Sequence, residues 1–435
     1  MATNRGVGVI VATWIQRSQQ TAVAWWIVGF VFLYGVLSAV QLLLWLSALL
    51  SLSLWIMTRG RWGRIHGAKT YFLLIGCWLV PGLLSAIGAI DVERALSINA
   101  RFIAYGLAGL AFIRFAPRPE QWPNTALWLV ALLMAWSIDG IVQEWRGISL
   151  SGYPLFTGLP EGHKVTGSMG LDYGPQLAVL SPFLFEALRL HGRRLPWLWL
   201  ALPILATAIS LSASRYSALL LLASAIVSAS LWIKRRGTRD SSLAALIVVL
   251  ALGGLVLPVA IAPHVGERFA LIAGGMGGDA QAINVALAFR PELWSAAWDV
   301  FCGEWLAGVG LRGSAQAMLP ALSASSIFPE VMLQRPWHPH LGVLEIAADT
   351  GIVGVIGYGL FFLILLRLML RCEDESQSSA TVFFTIAALA LFPLSSALSM
   401  YSFPTGSLAW PAIALGLGAY FAPKAAAASA RSGSP

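Results

Sequence analysis

Charge is scarce in this chain: 11% of its 435 residues are charged, against 58% that are hydrophobic. A soluble globular domain carries roughly a quarter charged residues. So little charge cannot cover a water-facing surface, and lipid is expected to be the solvent for most of the chain. Cysteine is scarce too. Cys77, Cys302 and Cys372 fall in an expected span, an outer loop and an inner loop, so neither a disulfide nor a thiolate metal site is expected. No cleavable leader is expected either. Residues 1–20 are basic and polar, but the apolar stretch 21–57 far outruns a signal h-region of about 7–15 residues.

Several motifs are absent as well. No Asp-x-Asp pair or acidic first outer loop could hold a divalent cation on a lipid phosphate. Trp25-Trp26-Ile27 lacks the Asp that completes an oligosaccharyltransferase signature. No P-loop is present, which argues against nucleotide hydrolysis. The two halves show no repeat, which argues against a secondary transporter. The net charge of +8 would point to nucleic acid only as a clustered patch.

What is present is a series of apolar runs near the length of about 20 residues that crosses a bilayer. They fall near 21–38, 39–57, 71–90, 95–114, 125–143, 173–190, 196–212, 216–233, 242–262, 342–366, 379–399 and 405–421. The fold class expected is an all-α polytopic membrane protein of about 12 transmembrane helices. Most of the 28 Lys and Arg residues fall in alternate connections, which puts both termini in the cytoplasm by the positive-inside rule. The 19 tryptophans suit membrane interfaces. The domain division expected is spans over 1–262, a large outer loop over 263–341, spans again over 342–421, and a disordered tail over 422–435. In that loop, Leu293, Trp294, Ala297, Trp298 and Phe301 recur with helical spacing. They read as an amphipathic helix lying on the membrane or on the bundle. Long loops of this kind are usually functional.

Candidate chemistry gathers on the outer side. The loop ends in Arg335-Pro336-Trp337-His338-Pro339-His340. Pro339 suits the first turn of a helix, placing His340 at the outer mouth of the tenth span. Gly351 would then lie three turns further along the same face, where a glycine lets a neighbouring helix approach. His338 is the competing imidazole. Arg215, in Ser212-Ala213-Ser214-Arg215-Tyr216-Ser217, stands on the side that the positive-inside bias disfavours, and an anionic ligand would explain it; a snorkelling side chain is the alternative. Arg290 opens the amphipathic segment as a second anion clamp or a solvated loop residue. Arg101 lies two turns past Arg94 inside a span, where an arginine is costly unless it faces the bundle interior. It would pair with an acid such as Asp139 or meet a pyrophosphate. Glu345 and Asp349 are further ionisable groups inside a span, with Asp349 expected to partner an Arg of another helix. Arginine and histidine without a metal suit transfer from a diphosphate lipid: Arg stabilises the departing charge and His takes the proton of an attacking hydroxyl.

These residues resemble a known family. His340 followed ten residues later by Gly351 is similar to the His-x10-Gly signature of the O-antigen ligase and polymerase superfamily. Arg290-x3-Trp294 with the later Gly308-Val309-Gly310, and Ser214-Arg215-Tyr216, resemble two further elements of that family. Leu341 departs from the Asn or Ser usual after the histidine, and the second imidazole leaves open which histidine acts. The resemblance implies a GT-C-like membrane glycosyltransferase in the inner membrane of a Gram-negative bacterium, with its active site facing the periplasm. It would be metal-independent, inverting and free of cofactors. The donor would be undecaprenyl-pyrophosphate-linked O-antigen and the acceptor lipid A–core oligosaccharide. His340 would be the general base, with His338 as alternate. Arg215, Arg290 and Arg101 would bind pyrophosphate, and Gly351 and Trp294 would be structural. An O-antigen polymerase would need the same groups, and a protein O-glycosylating relative is a third reading. A transporter or flippase of anionic lipid would instead use Arg101, Asp139 and Asp349 near the midplane.

Overall fold

A computed structural model describes residues 37–60, 65–159, 162–236, 241–261, 284, 287–334, 337–372, 374–396 and 398–432. The first expected span up to residue 36, the stretch 262–283 of the long loop, and Arg335 with Pro336 lie outside the described residues.

Among the described residues the apolar runs become helices. In chain order these are α1 (Leu37–Met57), α2 (Ala68–Ser85), α3 (Val92–Arg114), α4 (Trp122–Arg146), α5 (Tyr173–Leu180), α6 (Pro182–His191), α7 (Ala201–Leu211) and α8 (Arg215–Arg236). They continue with α9 (Ser241–Ile261), α10 (Arg290–Gly303), α11 (Ser314–Ala317), α12 (Leu319–Ala324), α13 (Gly342–Leu370), α14 (Ser378–Ala390) and α15 (Phe403–Ser432). The short strands β1 (Phe156–Leu159) and β2 (Gly162–Lys164) pair antiparallel.

Among the described residues, six helices are long and apolar enough to cross a membrane: Ala39–Met57, Ala68–Gly88, Val92–Arg114, Trp122–Arg146, Arg215–Arg235 and Gly342–Leu370. Pro196–Leu211 and Ala245–Val256 are shorter apolar helices. The fold is that of an all-α membrane protein, with several expected spans in pieces. The run 173–190 divides at Ser181, because Pro182 has no N–H to continue the ladder and the Ser181 hydroxyl donates back to the Ala178 carbonyl at 2.7 Å. The run 379–399 stops being helical after Ala390, two residues short of Phe392-Pro393. The tail expected to be disordered continues α15 as helical backbone to Ser432, in keeping with the high helix propensity of its alanines.

The helices sort into two packed groups joined through α14. One holds α1, α2, α3, α13 and α15; the other holds α4 to α9. Trp78 knits the first group, its ring 5.6 to 6.0 Å from those of Phe102, Tyr358, Phe361, Tyr401 and Trp410. α1 turns Leu42, Leu46, Leu49 and Ile56 outward, an apolar face that suits hydrocarbon.

One end of the bundle is rich in connections. The starts of α3, α8, α13 and α15, helix α10 with the segment after it, and residues 391–396 and 398–402 all meet there. Backbone hydrogen bonds tie them: Ile90 N to Val309 O at 3.0 Å, Val309 N to Ala348 O at 3.1 Å, and Val343 N to Pro393 O at 2.9 Å. α10 buries Leu293, Ala296 and Ala297 against Leu344 and Ala348 of α13, in a small second core that Trp294 and Trp337 flank. The amphipathic helix therefore lies on the bundle, with Trp298 exposed.

Candidate active site

The residues 337–341 form a non-helical lead into α13, whose N-cap is Leu341. Pro339 and His340 thus precede the helix rather than opening it. His340 adopts a left-handed backbone, φ 52°, which swings its ring back over its neighbours. The ring lies 3.9 Å from that of His338 and 5.8 Å from that of Trp337. Its Nδ1 lies 2.8 Å from the Ser396 carbonyl oxygen. A carbonyl only accepts, so Nδ1 carries the proton and Nε2 keeps a lone pair. His338 has the opposite tautomer: its Nδ1 accepts the backbone N–H of His340 at 3.3 Å, so its Nε2 carries the proton.

Two carboxylates hold this arrangement from below. Glu345 accepts the Ser399 hydroxyl and, at 2.8 Å, the Met400 N–H. It thereby anchors the segment whose Ser396 carbonyl fixes His340. Asp349 accepts the backbone N–H of Arg312 at 2.7 Å and of Ser314 at 2.9 Å. The partner is the main chain of the segment after α10 rather than the guanidinium of an arginine on another helix.

Gly351 has a different role from the one its spacing suggests. Its φ of 63° and ψ of −163° break α13, and that backbone region is essentially closed to any residue but glycine. The element pressed against it is the segment after α10: Ile352 N donates to Trp305 O at 2.8 Å, and a Cβ on Gly351 would overlap the Leu306 carbonyl. Gly308, φ 69°, packs on the Asp349 carbonyl in the same seam. The two glycines lock the α10 segment to the helix that the histidines lead into.

The arginines gather around the imidazoles. Burial lowers the pKa of Arg290 from its ordinary value, and the nearby charge of Arg215 lowers it further. Burial, then the charges of Arg312 and Arg290, push His338 down to about 3. Burial, then His338, Arg290 and Arg312, do the same to His340, with the Ser396 bond opposing. Arg215, Arg290, His338 and His340 therefore share one electrostatic neighbourhood. Arg101 belongs to a second, with Arg94 and Arg312, and its guanidinium donates to the Tyr401 carbonyl at 3.3 Å. Asp139 does not pair with it: that carboxylate accepts Leu150 N–H at 2.6 Å. Sequence reasoning passed over Arg312, which looked like an ordinary loop cation although it lies two residues past the Gly308-Val309-Gly310 element. It also passed over Ser396, which acts through its backbone.

These features define a polytopic helical membrane protein with a neutral imidazole pair set among guanidinium groups at one end of the bundle. Residues 200–359 match the family model described as O-antigen ligase, a stretch that holds Arg215, Arg290, Arg312, both histidines and Gly351, and the match supports the O-antigen ligase superfamily. No curated protein sequence matches the chain.

Proposed function

We propose that this protein is an O-antigen ligase, an inverting glycosyltransferase that moves O-antigen glycan from undecaprenyl pyrophosphate to lipid A–core on the periplasmic face of the inner membrane. The observation that carries the reading is the fixed tautomer of His340: a proton acceptor, Nε2, held beside Arg290, Arg312 and, through Arg290, Arg215.

In this reading Nε2 takes the proton of an acceptor sugar hydroxyl as its oxygen attacks the anomeric carbon. The bond from that carbon to the diphosphate oxygen breaks, and undecaprenyl pyrophosphate leaves with the bonding electrons. A single displacement inverts the anomeric configuration. Arg215 and Arg290 hold the diphosphate and meet the charge that develops on it, which is the electrostatic work a divalent cation performs elsewhere. His338, with its proton on Nε2, is a donor to the same anion. Its accepting nitrogen is already engaged, which favours His340 as the base.

The test is His340→Ala in a strain lacking the native protein. Folded variant in the membrane with uncapped core on a lipopolysaccharide gel is the expected result. Full capping by that variant, with His338→Ala inactive instead, would move the role to His338. The deletion strain itself separates the related activity: core bearing one repeat unit would identify a polymerase, and uncapped core with accumulated lipid-linked polymer a ligase.

A further inference from the structure

At the starts of α3 and α15 lies a pocket of about 550 Å³. That size falls within the roughly 300–1,000 Å³ of small-molecule sites. Its lining includes Arg94, Arg101 and Arg312, with Asp91 and Glu93 at its edge and Tyr401 at its wall. Among the described residues the ion pairs join other groups, and none involves these three arginines. The Arg312 Nε is buried and has no hydrogen-bond partner. Each of these guanidinium groups has five N–H donors to satisfy. Three guanidinium groups against the carboxylates of Asp91 and Glu93 leave the pocket net positive, a charge that an anion would offset.

We propose that this pocket binds an acidic saccharide of the acceptor, a sugar bearing phosphate or carboxylate, and so sets which hydroxyl reaches the base. The inference rests on the glycosyltransferase reading above. Three observations assign the pocket to the acceptor rather than to the donor diphosphate. Arg101 neighbours Arg94 and Arg312, whereas Arg290 neighbours Arg215, so the cations form two sets. Arg312 lines the pocket and its charge also reaches both histidines, so the pocket and the imidazoles share one cation. Finally, the two carboxylates suit sugar hydroxyls, as donors to Asp91 and Glu93, better than they suit a bare diphosphate. Of the three arginines, only Arg312 falls inside the matched stretch 200–359.

The experiment is equilibrium binding to the purified full-length protein in detergent. The probes are lipid A–core, the same glycolipid after phosphatase treatment or after carboxyl reduction, and undecaprenyl pyrophosphate. Wild type should bind native acceptor about tenfold or more tightly than one of the treated forms, as expected for charge-assisted pairs; which treated form weakens identifies phosphate or carboxylate. Arg101→Gln should lose that preference and keep undecaprenyl pyrophosphate affinity within about twofold, which also shows that it is folded. Arg101→Lys should recover part of it. Equal wild-type affinity for native and both treated acceptors overturns the proposal, and so does an Arg101→Gln loss that falls on undecaprenyl pyrophosphate. If wild type shows the expected discrimination but transfers no glycan, the pocket stands and the transferase reading fails.

Discussion

His338 and His340 are two residues apart and chemically identical, and each has its Nε2 free, yet that nitrogen accepts in one and donates in the other. One backbone carbonyl, that of Ser396, leaves His340 with an accepting Nε2. One backbone N–H, that of His340, leaves His338 as a donor. Burial and nearby arginines hold both pKa values near 3, well below the usual 6.5, and this has a signed consequence. Between about pH 6.5 and 3 the unfolded chain binds protons that the folded one refuses, so these groups make stability fall as pH falls through that window. For activity the same shift is protective. An imidazole of ordinary pKa would lose about nine-tenths of its basic form at pH 5.5, whereas His340 stays neutral. The kcat/KM for donor, which reports the free enzyme, should therefore change by less than about twofold between pH 7.5 and 5.5, measured by glycan transfer in detergent. An acid limb centred near 6.5 would show that the imidazole is not so placed. Much of this site was legible from residue types, because an arginine on the side that positive-inside bias disfavours asks for an anion. Arg215 emerged that way, Arg290 from its place at the head of the amphipathic segment, and the histidines from their place before an apolar run and the spacing to Gly351. Ser396 could not, since it contributes a carbonyl that every residue has.

At the scale of elements, sequence periodicity located helices well and their interruptions poorly. The spacing of His340 to Gly351 was visible, but an unbroken helix between them was the wrong geometry. A hydrophobic run looks the same whether its ladder is continuous or broken, and only φ/ψ at Gly351 separates the two. The break matters because it opens backbone N–H groups of α13 to the segment after α10: Ile352 N reaches Trp305 O. That segment then carries Arg312 on to Asp349. Gly351→Ala should therefore do more than fill space. An alanine there meets a backbone conformation costing about 1–3 kcal/mol, and its methyl group meets main chain rather than a side chain that could move. The expected outcome is a thermal midpoint in detergent several degrees lower than wild type, together with reduced transfer. A variant as stable and active as wild type would mean that α13 runs straight in solution.

At the scale of the whole molecule, the alternation of basic connections gave a topology, and the structure supplies a native probe of it. Cys302, at the C-terminal end of α10, is exposed, whereas Cys372 is buried and Cys77 partly so. α10 packs on the start of α13, so Cys302 marks the end of the bundle that carries both histidines. Cys372 follows α13 at its far end, about 40 Å away for a helix of that length. If the site faces the periplasm, a membrane-impermeant maleimide should label Cys302 in spheroplasts and leave it unlabelled in sealed inverted vesicles, with Cys302→Ser as the blank. The reverse pattern would put the imidazoles on the cytoplasmic side, where a ligation that completes lipopolysaccharide after export could not take place. Because the arginines and His340 lie at the same end, that single result would remove the transferase reading, however well the local geometry suits it.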